Sequence, residues 1–202
     1  MRTIIDEYRK KCNFLSVQEM LDLYGESNTI LNPFSTFISS SVQIGCGNII
    51  YPDVIIESDG TNQIQIGDKN TFFPNTHLAL MNGGVLQVGN NNLFGEGIVC
   101  IKSNMPSSSI IIGDNVRFEG IINIFGQCSL ETGCQILGNI SVYNCSLRKG
   151  LSYKDADVER RAGLLKGFGN AKGLEVSCGY VIKGNGDFMQ DNIEPQLNYH
   201  KK

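Results

Sequence analysis

Residues 112–142 read IGDNVRFEGIINIFGQCSLETGCQILGNISV. Counting in sixes from Ile112 reaches Phe118, Ile124, Leu130, Ile136 and Val142 without a slip. Two residues before each lies a second apolar or small residue: Ile110, Val116, Ile122, Cys128, Cys134 and Ile140. A helix repeats near 3.6 residues and a plain strand near 2, so neither alone gives this pattern. A hexapeptide period does. Each six residues form one short strand and a corner, and three hexapeptides close one coil of a prism, which predicts a β-solenoid.

Upstream the same rhythm is interrupted. Ile38, Ile44, Ile50 and Ile56 are spaced by six, with Val42, Asn48 and Val54 two residues before the last three. The count then jumps by ten to Ile66, which leads to Phe72 and Leu78, and by ten again to Val88, which leads to Phe94 and Cys100. A jump of twelve reaches Ile112. Each jump follows three hexapeptides, so these coils measure 22, 22 and 24 residues. The insertions at 58–62, 81–84 and 103–108 therefore leave the prism at one corner and stack into a ridge. They hold turn formers (Asp59-Gly60, Asn82-Gly83-Gly84, Pro106-Ser107-Ser108), as loops require. Loops on a rigid scaffold are where binding usually lives.

Composition agrees with many turns on short β-branched strands: 202 residues, 41% hydrophobic, only 18% charged, and 23 glycines. That length suits one domain, or one domain with an appendage. A net charge of -3 gives no reason to expect nucleic acid as a partner. No apolar run is long enough for a signal peptide or a membrane span. The seven cysteines include no C-x-x-C pair, and Cys128 and Cys134 fall on strand positions. They read as reduced core thiols in a cytoplasmic protein rather than as metal ligands.

Residues 1–28 form a predicted helical cap. Ile5, Tyr8, Cys12 and Leu15 share one face, Val17, Leu21 and Tyr24 another, and Ser16 with Glu19 fits a capping box that starts a second helix. Gly25 is its expected stop. Such a cap covers the open end of the solenoid at 29–147.

Residues 148–202 form a basic extension. From position 148 to 183 eight Lys/Arg face four acids, a net of +4. Gly163 to Gly173 reads as a flexible glycine-rich loop, and 174–182 as one or two final strands. Neither a dinucleotide fingerprint nor a Walker loop is complete around Gly167, Gly169 and Lys172. Two readings stay open: Lys166 and Lys172 neutralise an anion that Gly167 and Gly169 let approach, or the segment is a basic lid over an acidic solenoid.

The units Ile44-Gly45-Cys46-Gly47-Asn48, Ile66-Gly67-Asp68-Lys69-Asn70 and Ile112-Gly113-Asp114-Asn115-Val116, with the variant Val88-Gly89-Asn90-Asn91-Asn92, carry a resemblance. They look like the signatures of the bacterial hexapeptide-repeat acyltransferases. Residues 28–57 also resemble the entry into the acetyltransferase domain of the N-acetylglucosamine-1-phosphate uridyltransferases, with no nucleotidyl-transfer domain beside it. The resemblance implies an all-β, left-handed parallel β-helix that assembles as a homotrimer. It also implies acetyl-CoA or another acyl-CoA as co-substrate, a sugar or nucleotide-sugar acceptor, and a histidine base in a cleft between prisms.

The chain has two histidines. His77, next to the inward Leu78, is expected to point outward and is the candidate base. The alternative is an ordinary surface or interface histidine in a non-catalytic trimeric scaffold. His200 reads as tail. The β-helical carbonic anhydrases hold zinc through three histidines, more than are present here, so no metal is expected. Glu96 and Glu119 read as corner residues that orient a base or accept sugar hydroxyls, or as solvated acids. Asp68 and Asp114 read as turn residues bonding their own backbone.

Overall fold

The computed structural model describes residues 2–25 and 27–200. Two short helices, α1 (Arg2–Lys11) and α2 (Val17–Gly25), precede a stack of parallel strands. The strands form a 7-stranded sheet and a 12-stranded sheet that folds around a corner, giving three flat faces. The fold is the left-handed parallel β-helix that the hexapeptides lead one to expect.

The first face carries Thr29–Ile30, Ile49–Ile50 and Thr71–Phe72. The second carries Phe37–Ile38, Ile55–Ser58 and Thr76–Leu80. Higher up, the strands Leu93–Ser103, Arg117–Phe125 and Gln135–Tyr143 run across both faces without a break. The third face runs from Gln43–Ile44 to Glu175–Val176 and pairs Ile44 with Ile66, Ile66 with Val88, and Val88 with Ile112. Those are the coil lengths read from the sequence. The loops of the long coils do stack: Asn62 Nδ2 donates to the Gly83 and Gly84 carbonyls, and Asn82 N–H donates to Asp59 Oδ2 at 2.7 Å.

Within the prism, inward side chains stack on their counterparts from coil to coil, with residues two apart both buried on many faces, as at Ile110 with Ile112 and Ile122 with Ile124. Phe72, Phe94 and Phe118 are fully buried, with successive ring centroids 4.7 and 5.1 Å apart. Asn48 and Asn70 are also fully buried, one above the other, at a corner. Asn48 Oδ1 accepts from the Asn70 N–H at 2.9 Å and from Asn70 Nδ2 at 3.0 Å. Buried amides persist because each finds such partners.

α2 closes the lower end. Met20 is fully buried in the common core, and the capping box forms, with the Ser16 N–H donating to Glu19 Oε2 at 2.8 Å. α1 departs from the expected face, since Ile4 and Tyr8 are exposed and Arg9 is buried. The Arg9 guanidinium donates to the Thr36 carbonyl at 2.7 Å and lies over the Phe37 ring, so it acts as a tether.

Two expectations are corrected. Cys100 points outward and Ile101 takes the core position, because a bulge between Phe94 and Gly97 adds one residue. Residues 163–173 are not a flexible loop. Leu164–Lys172 is a strand paired with Gln135–Tyr143 on one side and Tyr180–Asp187 on the other. After a longer excursion at 148–163 the chain thus rejoins the stack.

Candidate active site

The second face presents an outward column in which register aligns Ile55, His77, Cys100, Asn123 and Ser141. The neighbouring outward column aligns Glu57, Ala79 and Lys102. Glu57 and Lys102 both flank Ala79, which is buried between their strands. His77 Nε2 lies 2.7 Å from Glu57 Oε1, with each side chain about one quarter exposed (28% and 27%). Among the described residues, no hydrogen bond occupies His77 Nδ1.

A short His–carboxylate bond fixes the tautomer of the ring. With the proton on Nε2 and donated to Glu57, Nδ1 carries the lone pair and is free to take a proton from a substrate. The Cys100 thiol sits on the adjacent strand. Burial raises its pKa, Lys102 opposes this and Glu57 adds to it. It is therefore held as a neutral thiol and not as a poised nucleophile.

The other expected site residues lie elsewhere. Gly167 occupies a corner column with Gly97, Gly120 and Gly138, all at positive φ (132°, 143°, 107° and 122°). A Cβ at Gly167 would run into the Gly184 carbonyl oxygen, and one at Gly169 into that of Gly186. These glycines serve close backbone stacking between coils. Lys166 and Lys172 stand at opposite ends of one strand, on different faces. Lys172 shares the second face with His77 but lies four strand spacings above it, about 19 Å at roughly 4.8 Å each. The structure does not join them to His77 within one chain.

Asp68 and Asp114 bond to the neighbouring coil instead of to their own turn. Asp68 Oδ1 accepts the Cys46 N–H at 2.8 Å, and Asp114 Oδ1 accepts the Asn90 N–H at 2.6 Å. Glu119 pairs with Arg117. Glu96 is exposed in the bulge at φ +23°.

Sequence reasoning missed Glu57. Its signal was available, because the pairing of Ile56 with Leu78 sets the residue after the first diagonal to the residue before the second. Among the described residues, no group of three or more His, Cys, Asp or Glu could hold a metal ion, and no helix is long and apolar enough to cross a membrane.

Comparison with protein families gives no match, and comparison with curated protein sequences gives none. Solved structures do match. One is a variant of perosamine N-acetyltransferase from Caulobacter crescentus in complex with CoA and GDP-perosamine. It is 14% identical, with 89% of this chain and 62% of that one covered and a TM-score of 0.25. Another is UDP-N-acetylglucosamine acyltransferase of Francisella novicida, at 16% identity, 81% and 66% coverage and a TM-score of 0.37. LpxA of Acinetobacter baumannii is 16% identical, with 79% and 70% covered and a TM-score of 0.19. The chain spans less than two thirds of the length of the first two. Its chemistry is therefore read from its own side chains.

Proposed function

We propose that this chain is an acyltransferase that moves an acetyl or other acyl group from acyl-CoA to an amine or hydroxyl of a sugar or nucleotide sugar. The observation that carries this reading is the outward His77–Glu57 pair, with Nε2 anchored at 2.7 Å and Nδ1 open. The hexapeptide resemblance supplies the reaction class. His77 Nδ1 takes the proton of the acceptor as its oxygen or nitrogen bonds to the thioester carbonyl carbon. The carbon–sulfur bond then breaks, and the imidazolium returns that proton to the departing thiolate. Glu57 holds the ring in place and stabilises its charged form, as an orienting carboxylate does.

A trimer belongs to the same proposal. Beside the His77 column, Ile98, Ile121 and Phe168 stand 44%, 43% and 58% exposed along one line of the second face, interrupted between Ile121 and Phe168 by the exposed Asn139. An apolar line of this kind suits contact with a neighbouring prism, which would place His77 at the rim of a cleft between subunits. The same line favours a second reading, a trimeric scaffold without chemistry.

Calorimetry with acetyl-CoA, followed by thiol-release assays over a panel of amino sugars and their nucleotides, separates the two. His77→Ala is expected to keep donor binding and lose about 100-fold or more in kcat, the usual share of a general base. Turnover unchanged in that variant, or no binding of any acyl-CoA, would sink the transferase reading and leave the scaffold.

A further inference from the structure

The last two strands repeat a motif at a spacing of seventeen: Lys166-Gly167-Phe168-Gly169-Asn170 and Lys183-Gly184-Asn185-Gly186-Asp187. Register places Lys166 directly beside Lys183 on the first face. Like charges directly opposite one another repel. Among the described residues, neither ammonium takes part in an ion pair. Both line a small pocket with Leu164, Val181, Gln196, Tyr199 and His200.

The chain's end builds that pocket. Gln196 is buried, and its side-chain amide nitrogen Nε2 donates to the Ala162 carbonyl at 2.7 Å and the Tyr180 carbonyl at 3.0 Å, which pins the tail to the stack. Lys183 Nζ lies 4.0 Å from the centre of the Tyr199 ring. The Tyr199 hydroxyl donates to Glu194 Oε1 at 2.8 Å, so the nearby carboxylate is engaged by the phenol. Arg161 Nη1 lies 3.2 Å from His200 Nε2. A guanidinium only donates, so Nε2 accepts and the His200 proton sits on Nδ1, which remains a donor.

We propose that Lys166, Lys183 and His200 form a binding site for a phosphate group carried by a small organic molecule. Two adjacent ammoniums call for a dianion more than for a single carboxylate, and a phosphomonoester carries between one and two negative charges near neutral pH. Its oxygens accept from both lysines and from the imidazole, while Leu164, Val181 and the Tyr199 ring offer an apolar wall to what the phosphate is attached to. The ligand belongs either to the acyl donor or to a nucleotide acceptor. That assignment of the ligand rests on the transferase reading, whereas the phosphate site itself stands apart from His77 and is tested without it.

The test is titration of the intact protein with inorganic phosphate, adenosine 3′,5′-bisphosphate and UDP. Lys166→Met and Lys183→Met are each expected to weaken binding tenfold or more, while Lys166→Arg retains it and His77→Ala leaves it unchanged. Preference for the bisphosphate marks the donor, and preference for UDP marks the acceptor. NMR on the unaltered chain gives a readout that needs no lysine variant. With only two histidines, identified by the His77→Ala spectrum, the ring protons of His200 are expected to shift with ligand while those of His77 stay put. No binding of any of the three, binding indifferent to both Met variants, or a still His200 signal overturns the proposal.

Discussion

At the scale of single residues, buried asparagines hold the lower coils in register. Asn70 makes four side-chain bonds. Its Oδ1 accepts the Asn92 N–H at 2.9 Å, and its Nδ2 reaches Asn48 Oδ1 and the Gly67 and Gly89 carbonyls. Asn92, the last of the ladder, accepts the Val116 N–H at 2.7 Å, but its buried Nδ2 has no partner. A buried polar group left unpaired costs about 1–3 kcal/mol. Asn70→Val leaves the Asn92 N–H and the Gly89 carbonyl without these partners and is expected to destabilise by about 3 kcal/mol. Asn92→Val orphans one N–H and removes one unpaired amide, so about 1 kcal/mol or less is expected. Urea unfolding midpoints of the two variants check the order, and equal losses would refute the ladder's unequal rungs. Counting in sixes did place Asn48 on an inward position, but the count says nothing about hydrogen bonds between coils.

At the scale of elements, the strand Leu93–Ser103 shows what the repeat conceals. Its bulge at residues 95–97 pairs Cys100 with His77 and Ile101 with Leu78. Ile101→Ala is expected to cost about 2–5 kcal/mol, as core truncations do, and Cys100→Ala far less. A thiol reagent checks the same register in the native protein. Cys100 is partly exposed and is expected to react before unfolding, whereas Cys128, Cys134 and Cys145 are buried and are expected to react only after it. A Cys100 as protected as those three would restore the uninterrupted count of sixes. The rhythm was legible wherever coils changed by whole insertions at one corner. It failed at this bulge because one added residue looks like none when both Cys and Ile suit a core. It failed again at Leu164–Lys172, because 29 residues separate Val142 from its partner Ala171 and corner glycines resemble a loop. The site was half legible. His77 was singled out as a candidate from its outward parity, while its partner Glu57 needed the pairing between coils, and the Lys166–Lys183 pair needed recognition of a seventeen-residue spacing.

At the scale of the whole molecule, the buried thiols tie stability to pH. Burial pushes the Cys128 thiol from 9.0 up to about 11, and raises Cys134 and Cys145 as well. The sign follows from proton counting. Between the unfolded and folded pKa values the native chain holds protons that the unfolded chain has released, so rising pH favours unfolding there. Stability from these groups is complete below about pH 8.5, the ordinary thiol range, and falls as pH climbs past 9 towards 11 and beyond. A shift of two units for Cys128 alone corresponds to roughly 2–3 kcal/mol once its folded pKa is passed. All three thiols sit in neighbouring coils, Cys128 on the third face beneath Cys145, with Cys134 in the turn between. In a solenoid each coil rests on its neighbours, so ionisation there loosens the middle of the stack and separates the lower coils from the upper ones. Melting temperatures measured from pH 7 to 11 are expected to hold steady and then drop. The Cys128→Ala variant is expected to start lower, because it leaves a cavity, and to drop less steeply. Parallel curves for the variant and the unaltered chain would show that tyrosines and lysines, and not the buried thiols, set the alkaline limit.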